Sequence, residues 1–358
     1  MTKVVVAMSG GVDSSVAAAL LVEQGYDVTG MMLRLWSEPG KEDLNRCCTP
    51  DSMAMARRVA AKLDIPFYVV DAKETFRQTV VQYFLDGYAA GLTPNPCLVC
   101  NRQIRWTFLL ERALALGADF LATGHYARVV PDEQGRVKLL RAVDEGKDQS
   151  YVLHVLTQEK LRRALFPLGK YHKSEVRQKA EAMGLPVYKR PDSQDLCFLA
   201  GEDYRAFLRR HAPETNLPGD IVNRKGELQG RHSGLANYTI GQRKGLGLRS
   251  PVPLYVLSKD ASTNTLIVGE IHELGAGRLL AGEVNWISGL APTEAFRAKV
   301  KIRYTAQAAE AEVRPLDNGR QAEVRFDSPQ RDITAGQSAV FYVGEEVVGG
   351  GTILSSFV

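Results

Sequence analysis

A glycine- and serine-rich segment near the start of the chain has residues suited to phosphate chemistry. Residues 9–15, Ser-Gly-Gly-Val-Asp-Ser-Ser, stand between an apolar run at Val4–Met8 and a helical pattern at Ser14–Gln24. Two glycines let the backbone approach a phosphate closely, and the following helix offers free N–H groups and a positive dipole end. Serine hydroxyls add donors, and Asp13 is a candidate Mg²⁺ ligand. The segment therefore predicts a phosphate site of neither the Gly-x-Gly-x-x-Gly nor the Walker type.

The cysteines are the second set of reactive residues, and they are Cys47, Cys48, Cys97, Cys100 and Cys197. Their odd number argues against a simple disulfide framework. Cys97 and Cys100 stand just before a predicted helix, and a helix N-terminus lowers a thiol pKa and favours the reactive thiolate. A Cys-x-x-Cys pair alone is more often a metal site, but tetrahedral zinc needs further ligands and the chain has no second pair. Cys47 and Cys48 are interpreted as an incidental loop pair, because adjacent cysteines suit neither chelation of one ion nor a mutual bond.

Alternating strand and helix patterns over the first half must position these residues. The predicted strands are Val4–Met8, Asp27–Leu35, Pro66–Val70 and Asp119–Ala122. The predicted helices are Ser14–Gln24, Asp51–Leu63 with Asp51 as its N-cap, Glu74–Ala90, Ile104–Leu116 and Lys173–Met183. This alternation predicts an α/β fold with a Rossmann-like parallel sheet covered on both faces. Ligands of such sheets bind at the carboxyl ends of the strands.

The pattern changes near residue 200, after which short alternating runs dominate. A helix is predicted at Glu202–His211, followed by a hairpin of Tyr255–Leu257 and Thr265–Val268. A small β-barrel is predicted from the runs Arg297–Tyr304, Glu310–Arg314, Gln321–Phe326 and Gln337–Tyr342. With 358 residues, the chain is long enough for two or three domains. We predict domains at residues 1–200, at residues 201–278 (small and mixed) and at residues 279–358 (the barrel).

Composition places few limits on the partner. The formal net charge is +4, which permits a nucleic-acid partner without arguing for one. Residues 201–250 hold nine Lys and Arg against five Asp and Glu, so a basic surface there is one interpretation and an ordinary solvated face is the other. No apolar stretch reaches the length of a membrane span, and the first residues lack a cleavage site for a signal peptide. We therefore expect a cytoplasmic protein that has no membrane partner and contains reduced cysteines.

The motifs and their order resemble a known family. The loop at Ser9–Ser14 resembles the signature of the PP-loop, or N-type, ATP pyrophosphatases. With it come the motifs Thr93–Cys97, Ala122–Tyr126, Asp195–Phe198, Tyr238–Gly247 and Ala335–Tyr342. In this order, over essentially the whole chain, they resemble the bacterial tRNA-specific 2-thiouridylases. Many members of that family carry Asp where this chain has Cys97.

The resemblance implies a reaction. ATP would adenylate the C2 oxygen of the wobble uridine in the tRNA anticodon, and a persulfide sulfur would replace that oxygen, with release of AMP and pyrophosphate. Cys197 would carry the persulfide and Cys100 would be the nucleophilic partner. Either Cys100 attacks the persulfide, freeing sulfide and forming a transient disulfide, or the persulfide attacks C2 first and Cys100 releases the product. A sulfur-donor protein would deliver sulfur by a persulfide relay from a cysteine desulfurase.

The resemblance also implies the binding residues. Residues expected at ATP and Mg²⁺ are Ala7, Met8, Ser9, Gly10, Gly11, Val12, Asp13, Ser14, Leu33 and Gly124. Residues expected at the target base are Asn95, Pro96 and Cys97. Residues expected to contact tRNA elsewhere are His125, Lys147, Asp148, Gln149, Arg303, Tyr304 and Gln337.

Several alternatives stay open on the sequence alone. Cys97, Cys100 and Cys197 could hold three irons of a four-iron cluster and leave the fourth open for sulfide. The chain could instead be another PP-loop enzyme, such as a tRNA lysidine synthetase or an amidotransferase-linked synthetase, which needs no paired cysteines. An RNA-binding module with a structural metal cluster is a further possibility. A redox protein using Cys97 and Cys100 fits least well, because it would not need the phosphate loop.

Overall fold

A computed structural model describes residues 1–41, 49–192 and 196–357. Cys47 and Cys48, and Asp195 of the motif before Cys197, lie outside the described residues. The described strands are β1 (Lys3–Ala7), β2 (Asp27–Arg34), β3 (Phe67–Asp71), β4 (Phe120–Thr123), β5 (Arg128–Pro131), β6 (Val137–Leu140), β7 (Ala164–Leu165), β8 (Gly219–Val222), β9 (Leu228–His232), β10 (Tyr255–Asp260), β11 (Thr265–Gly269), β12 (Ala276–Trp286), β13 (Phe296–Lys301), β14 (Ala309–Leu316), β15 (Gln321–Gln330), β16 (Ser338–Val343) and β17 (Glu346–Phe357).

The helices lie mainly in the first two thirds of the chain. The α-helices are α1 (Val12–Glu23), α2 (Pro50–Lys62), α3 (Lys73–Phe76), α4 (Gln82–Ala89), α5 (Pro96–Val99), α6 (Leu110–Ala115), α7 (Ser150–Leu153), α8 (Gln158–Leu161), α9 (Lys173–Ala182) and α10 (Tyr204–His211). Two π-helical segments, Arg77–Val81 and Cys100–Leu109, join α3 to α4 and α5 to α6. Short 3₁₀ turns occupy Cys197–Leu199, Pro213–Asn216, Leu235–Asn237, Ile271–Glu273 and Asp317–Gly319.

The first sheet is parallel, and its strand order is β3-β2-β1-β4-β7. Ala7 at the end of β1 is in register with Met31 of β2 and with Thr123 of β4. The loops that leave β1 and β4 therefore emerge side by side at the carboxyl edge of the sheet. Helix α1 is apolar on nearly all sides and is buried among β1, β4 and α9, as expected for a helix without a polar face. The predicted Rossmann-like α/β fold is confirmed.

The helix that carries the Cys-x-x-Cys pair begins earlier than predicted. The sequence pattern placed its start at Ile104, but the helical segment begins at Pro96 and continues through the π-helical segment to Ala115. Asn95 is the N-cap, because its side-chain oxygen accepts a hydrogen bond from the Cys97 amide at 3.2 Å, and proline is well suited to the first helical position. Cys97 and Cys100 consequently lie inside the first turns, not in a loop before the helix.

The N-cap predicted for α2 is also wrong. Thr49, not Asp51, caps this helix, since its Oγ1 accepts a hydrogen bond from the Ser52 amide at 3.0 Å. Pro50 occupies the first helical position and moves the helix start one residue ahead of the predicted Asp51. Asp51 therefore lies in the first turn, where its charge still complements the helix dipole.

Two further sheets follow. The predicted hairpin is confirmed, because β10 pairs with β11 antiparallel, and β8 and β9 extend this sheet in the order β10-β11-β8-β9. Six strands in the order β12-β15-β14-β13-β16-β17 form the predicted barrel, which closes through pairing of β12 with β17. Closure leaves no free edge among these strands.

The barrel is attached to the first part of the chain. The hairpin of β5 and β6 adds to the outer side of β17, with Leu139 opposite Val347. Residues of both regions share one hydrophobic core, including Tyr151 and Tyr342. The limits predicted at residues 200 and 278 stay a prediction. Among the described residues, no helix is long and apolar enough to cross a membrane.

Candidate active site

The phosphate loop is shaped by a close approach between two segments of backbone. Gly10 has φ +72°, and a Cβ there would lie 2.2 Å from the carbonyl oxygen of Ser52, so only glycine fits. Hydroxyl groups fix the turn into α1: the Ser9 amide donates to Ser14 Oγ at 3.1 Å, and Ser15 Oγ donates to the Gly11 carbonyl at 2.8 Å. The loop is thus held open toward the carboxyl edge of the sheet.

A cavity, here named the phosphate-loop cavity, lies at this edge beside β1, β2 and β4. Seven of the ten residues predicted for ATP line it, and they are Ala7, Met8, Ser9, Asp13, Ser14, Leu33 and Gly124. The other three do not line the cavity. Gly10 and Val12 are buried, and Gly11 is half-buried. Gly124 packs against the backbone of α1, where a Cβ would lie 2.8 Å from the Ser14 nitrogen. The phosphate loop and the turn after β4 therefore fit together only when residue 124 has no side chain.

Asp13 is engaged by a lysine that the sequence did not indicate. Lys173, at the start of α9, places its Nζ 2.6 and 2.8 Å from the two carboxylate oxygens of Asp13. Tyr126 donates its hydroxyl to the same carboxylate at 2.8 Å. Burial, and then the Asp13 charge, raise the pKa of Tyr126 far above its ordinary value, so its hydroxyl stays a donor. Asp13 is therefore held firmly at the mouth of the loop.

The same lysine connects the phosphate loop to the segment that leads to Cys197. Lys173 Nζ lies 2.9 Å from Asp192 Oδ1, and Asp192 also accepts hydrogen bonds from Lys147 and Arg177, each at 2.8 Å. Burial alone would raise the pKa of Asp192, but hydrogen bonds from Lys147 and Lys173 outweigh it and lower that pKa to about 2. Asp192 stands five residues before Cys197. Ion pairs therefore connect the phosphate loop to the residue that stands shortly before Cys197.

A second cavity, here named the cysteine cavity, contains the candidate reactive cysteines, Cys97, Cys100 and Cys197. Other residues predicted at the base or at tRNA also line it, and they are Asn95, Pro96, His125, Gln149, Tyr304 and Gln337. Its apolar wall is aromatic and comprises Phe76, Phe84, Tyr88, Phe198 and Tyr204. Cys100 and Cys197 pack against one hydrophobic cluster with these rings. The fold therefore brings together cysteines that lie about a hundred residues apart in the sequence.

The wall between the two cavities is formed by three residues that line both, Arg105, His125 and Gln149. Arg105 donates to His125 Nε2 at 2.9 Å, and His125 Nδ1 lies 2.7 Å from Thr123 Oγ1. Because arginine only donates, Nε2 must accept and the ring proton must reside on Nδ1. Burial, with the Arg105 charge as a smaller cause, lowers the pKa of His125 well below its ordinary value. His125 is therefore a neutral acceptor.

Comparison with known proteins places the whole chain in one family. Residues 2–201 match the family model described as the tRNA methyl transferase HUP domain, residues 205–270 its PRC-barrel domain, and residues 276–353 the aminomethyltransferase β-barrel domain. The tRNA-specific 2-thiouridylase MnmA of Magnetococcus marinus is 50% identical over 354 residues, which cover 98% of this chain and 99% of the relative. The namesake of Chloroflexus aggregans is 49% identical, over 99% and 98% of the two chains.

The chain belongs to the tRNA-specific 2-thiouridylase family. The family resemblance predicted from the ordered motifs is confirmed, and so is the enzyme class, a tRNA-uridine 2-sulfurtransferase. The rival predictions of a lysidine synthetase, of a binding module without turnover and of a plain redox protein are not supported by these full-length matches.

Three residues predicted as tRNA contacts in this thiouridylase lie outside both cavities. Lys147 pairs with Asp192, as described above. Asp148 is buried and accepts hydrogen bonds from the Ala142 amide at 3.0 Å and from Ser150 Oγ at 2.8 Å. Arg303 donates to Thr334 Oγ1 and to the Ile240 carbonyl. Each has a contact that stabilises the fold, and their roles toward tRNA stay predictions.

The basic stretch at residues 201–250 is partly neutralised by carboxylates. Four of its nine basic side chains form ion pairs within the described part of the chain, namely Arg205, Arg210, Arg224 and Arg231. Arg210 is the most engaged, because Glu38 and Glu202 both lie within 2.7 Å of its guanidinium. The interpretation of this stretch as a basic surface therefore rests on the remaining side chains, such as Arg243 and Lys244.

Proposed function

We propose that this thiouridylase adenylates the C2 oxygen of the wobble uridine in tRNA and then replaces that oxygen with sulfur from a cysteine persulfide. The observation that supports this best is the shared wall of the two cavities. A nucleoside triphosphate in the phosphate-loop cavity and a uracil ring in the cysteine cavity would meet at Arg105, His125 and Gln149. Holding two reactants in contact is itself a large part of such catalysis.

In the adenylation step, the phosphate loop binds the β and γ phosphates of ATP through its backbone amides and serine hydroxyls. Apolar side chains of β2 and its end, Met31, Leu33 and Leu35, offer a surface for the adenine. The uridine O2 forms a bond to the α phosphorus while the bond to pyrophosphate breaks, and pyrophosphate leaves with the electron pair. The proton on N3 passes to solvent, which gives an O2-adenylate whose pyrimidine ring is neutral and whose phosphate keeps its negative charge.

In the sulfur step, the outer sulfur of a Cys197 persulfide attacks C2 and AMP leaves. Cys100 then attacks the Cys197 sulfur, which breaks the sulfur–sulfur bond, releases 2-thiouridine and leaves a Cys100–Cys197 disulfide that a thiol reductant restores. In the other order, Cys100 attacks the persulfide first, and the freed sulfide attacks C2. Both orders use the same two cysteines, which line one cavity and pack against one cluster.

The phosphate-loop cavity can accommodate Mg²⁺ together with ATP. Asp13 is the one carboxylate among the described residues that line it, and Mg²⁺ with nucleotides is commonly held by one or two carboxylates plus phosphate oxygens. A bound Mg²⁺ would screen the charge of the leaving pyrophosphate. Lys173 would keep Asp13 oriented, and the serine hydrogen bonds would keep the loop in the shape that receives the phosphates.

The iron–sulfur alternative is not part of this proposal. In the described ranges 1–41, 49–192 and 196–357, no three His, Cys, Asp or Glu side chains are grouped so that they could hold a metal ion. Cys97, Cys100 and Cys197 line one cavity without forming such a group. We therefore derive no step through a cluster.

The reaction products test the proposed function. Purified enzyme incubated with ATP, Mg²⁺, unmodified tRNA and a persulfide donor should form 2-thiouridine, detected by mass spectrometry of the nucleosides. AMP and pyrophosphate should appear in amounts matching the thiolated tRNA, and both should require tRNA. Release of ADP and phosphate instead would rule out a PP-loop adenylation.

The variant Cys97→Asp separates the persulfide route from a cluster. Cys97 is exposed and sits at the second position of the helix, where a carboxylate is compatible with the helix dipole. We expect Cys97→Asp to keep activity within about threefold of the parent, and to do so in iron-free protein. The measurement is 2-thiouridine per tRNA, with iron determined in the same samples. An inactive, iron-free parent that iron and sulfide restore would contradict the persulfide route.

A further inference from the structure

Arg105 owes its position to the π-helical segment that begins at Cys100. In an α-helix, a residue five positions on is rotated by about 140° from the first. A π-helix instead has i→i+5 hydrogen bonds and a wider turn, which brings residues five apart closer to one face, and such segments are frequent at functional sites. Cys100 and Arg105 are five apart at the start of this segment, and both line the cysteine cavity. Arg105 alone of the two also lines the phosphate-loop cavity.

The guanidinium is oriented by a relay that starts from the sheet. Thr123 ends β4, and its hydroxyl fixes the ring proton of His125, which leaves the opposite ring nitrogen to accept from Arg105. Buried His125, at 4% exposure, gives this relay little freedom to move. A charged group held rigidly between two cavities is the arrangement that stabilises developing charge without reorganisation.

We infer that Arg105 is a further catalytic residue of the adenylation step, contacting the α-phosphate of ATP at the shared wall, with His125 as its positioning residue. The inference rests on the proposed function. As the uridine O2 bonds to the α phosphorus and the bond to pyrophosphate breaks, negative charge on the α-phosphate oxygens lies opposite the guanidinium. Arginine donates two parallel hydrogen bonds to such oxygens and keeps its charge throughout.

The test is single-turnover release of pyrophosphate at saturating ATP and tRNA. Removing one preorganised donor typically lowers the rate about 10²- to 10³-fold. We expect a loss of that size for Arg105→Ala, while the ATP concentration that gives half the maximal rate, from a separate ATP titration, changes only a few-fold. Guanidinium ion at low millimolar concentration should restore part of the rate, since it can occupy the vacated space. Arg105→Lys, which keeps charge but not the paired donors, should remain slow.

Arg102→Ala is the matched control. Arg102 lies three residues earlier on the same segment, faces Glu283 at 3.8 Å and lines neither cavity. It should keep the parent rate, and added guanidinium should not change it. His125→Gln, which retains an acceptor, should be faster than His125→Phe.

The outcomes separate this inference from the proposed function. A parent enzyme that releases no pyrophosphate with tRNA would refute the adenylation itself. A parent that does so, together with an Arg105→Ala variant of equal rate, would refute the role of Arg105. If Arg105→Ala lowers only the affinity for tRNA, and saturating tRNA restores the parent rate, then Arg105 binds a tRNA phosphate and does not act in adenylation. If Arg105→Ala does not fold, the rate of pyrophosphate release is measured on the folded Arg105→Lys variant. A rate equal to that of the parent enzyme would overturn the inference.

Discussion

Replacing Cys197 by serine should abolish 2-thiouridine formation and leave pyrophosphate release intact. We expect thiolation to fall by at least about 10³-fold, the scale seen when a catalytic nucleophile is removed. Adenylation should continue, because Cys197 lines the cysteine cavity and not the phosphate-loop cavity. Parallel assays of pyrophosphate and of 2-thiouridine on one sample would measure this separation.

Cys100→Ser reports the order of the two attacks. If Cys100 attacks first, this variant should accumulate the Cys197 persulfide with tRNA unmodified. If the persulfide attacks C2 first, tRNA should remain joined to Cys197 and migrate with the protein on a denaturing gel without reductant. Cys97→Ser is the control, since neither order forms or breaks a bond at the Cys97 sulfur. Near-parent thiolation by Cys197→Ser would contradict the persulfide assignment.

The second large effect is expected for Asp13→Ala, which should lower adenylation by about 10²- to 10³-fold. Asp13 holds Lys173 and Tyr126 at the loop and is the candidate Mg²⁺ ligand. Without it, the Lys173 ammonium keeps only Asp192 as an ion-pair partner among the residues that the structure describes. ATP-dependent pyrophosphate release measures the effect, and a raised Mg²⁺ requirement should accompany it.

Asp119→Ala is the control for this variant. Asp119 lies at the amino-terminal edge of the same sheet, opposite the cavities, and accepts a hydrogen bond from the Lys3 amide at 2.9 Å. It should affect thermal stability slightly and leave the rate unchanged. Equal loss in both variants would show general destabilisation, and parent turnover by Asp13→Ala would refute the site.

The parallel sheet could be predicted because its strands are short apolar runs separated by amphipathic helices. The barrel was predicted incompletely: β12 and β17 were not recognised. Glycines at positions 349–351 look like a loop, yet the closure needs them, since a Cβ at Gly351 would lie 2.5 Å from the Gly282 carbonyl oxygen. The pairing of β12 with β17 therefore determines that residues 349–351 form a strand, although glycine has a low strand propensity.

The residues of the candidate site could be predicted where they belong to a sequence motif. They could not be predicted where only the fold brings them to the site. The residue types of the Ser-Gly-Gly loop and of the cysteines alone indicate phosphate binding and thiol chemistry. Lys173 meets Asp13 across 160 positions, and no spacing in the sequence connects them. Arg105 depends on a π-helical twist that an amphipathic pattern cannot distinguish from an ordinary helix. The start at Pro96 was missed because its first turns lack apolar periodicity.

The closed barrel has a consequence for the order in which a growing chain can acquire its parts. Among the residues that the structure describes, those lining the phosphate-loop cavity end at Gln149, whereas the cysteine cavity also needs Tyr304 and Gln337. Strand β12 finds its partner β17 only after about sixty further residues have been made, and such distant pairings form late. We therefore expect a nascent chain to complete the lining of its nucleotide pocket before that of the pocket for the base, while Tyr342 of the barrel joins the shared core later. ATP could stabilise this early intermediate, while chemistry on RNA waits for the last strand.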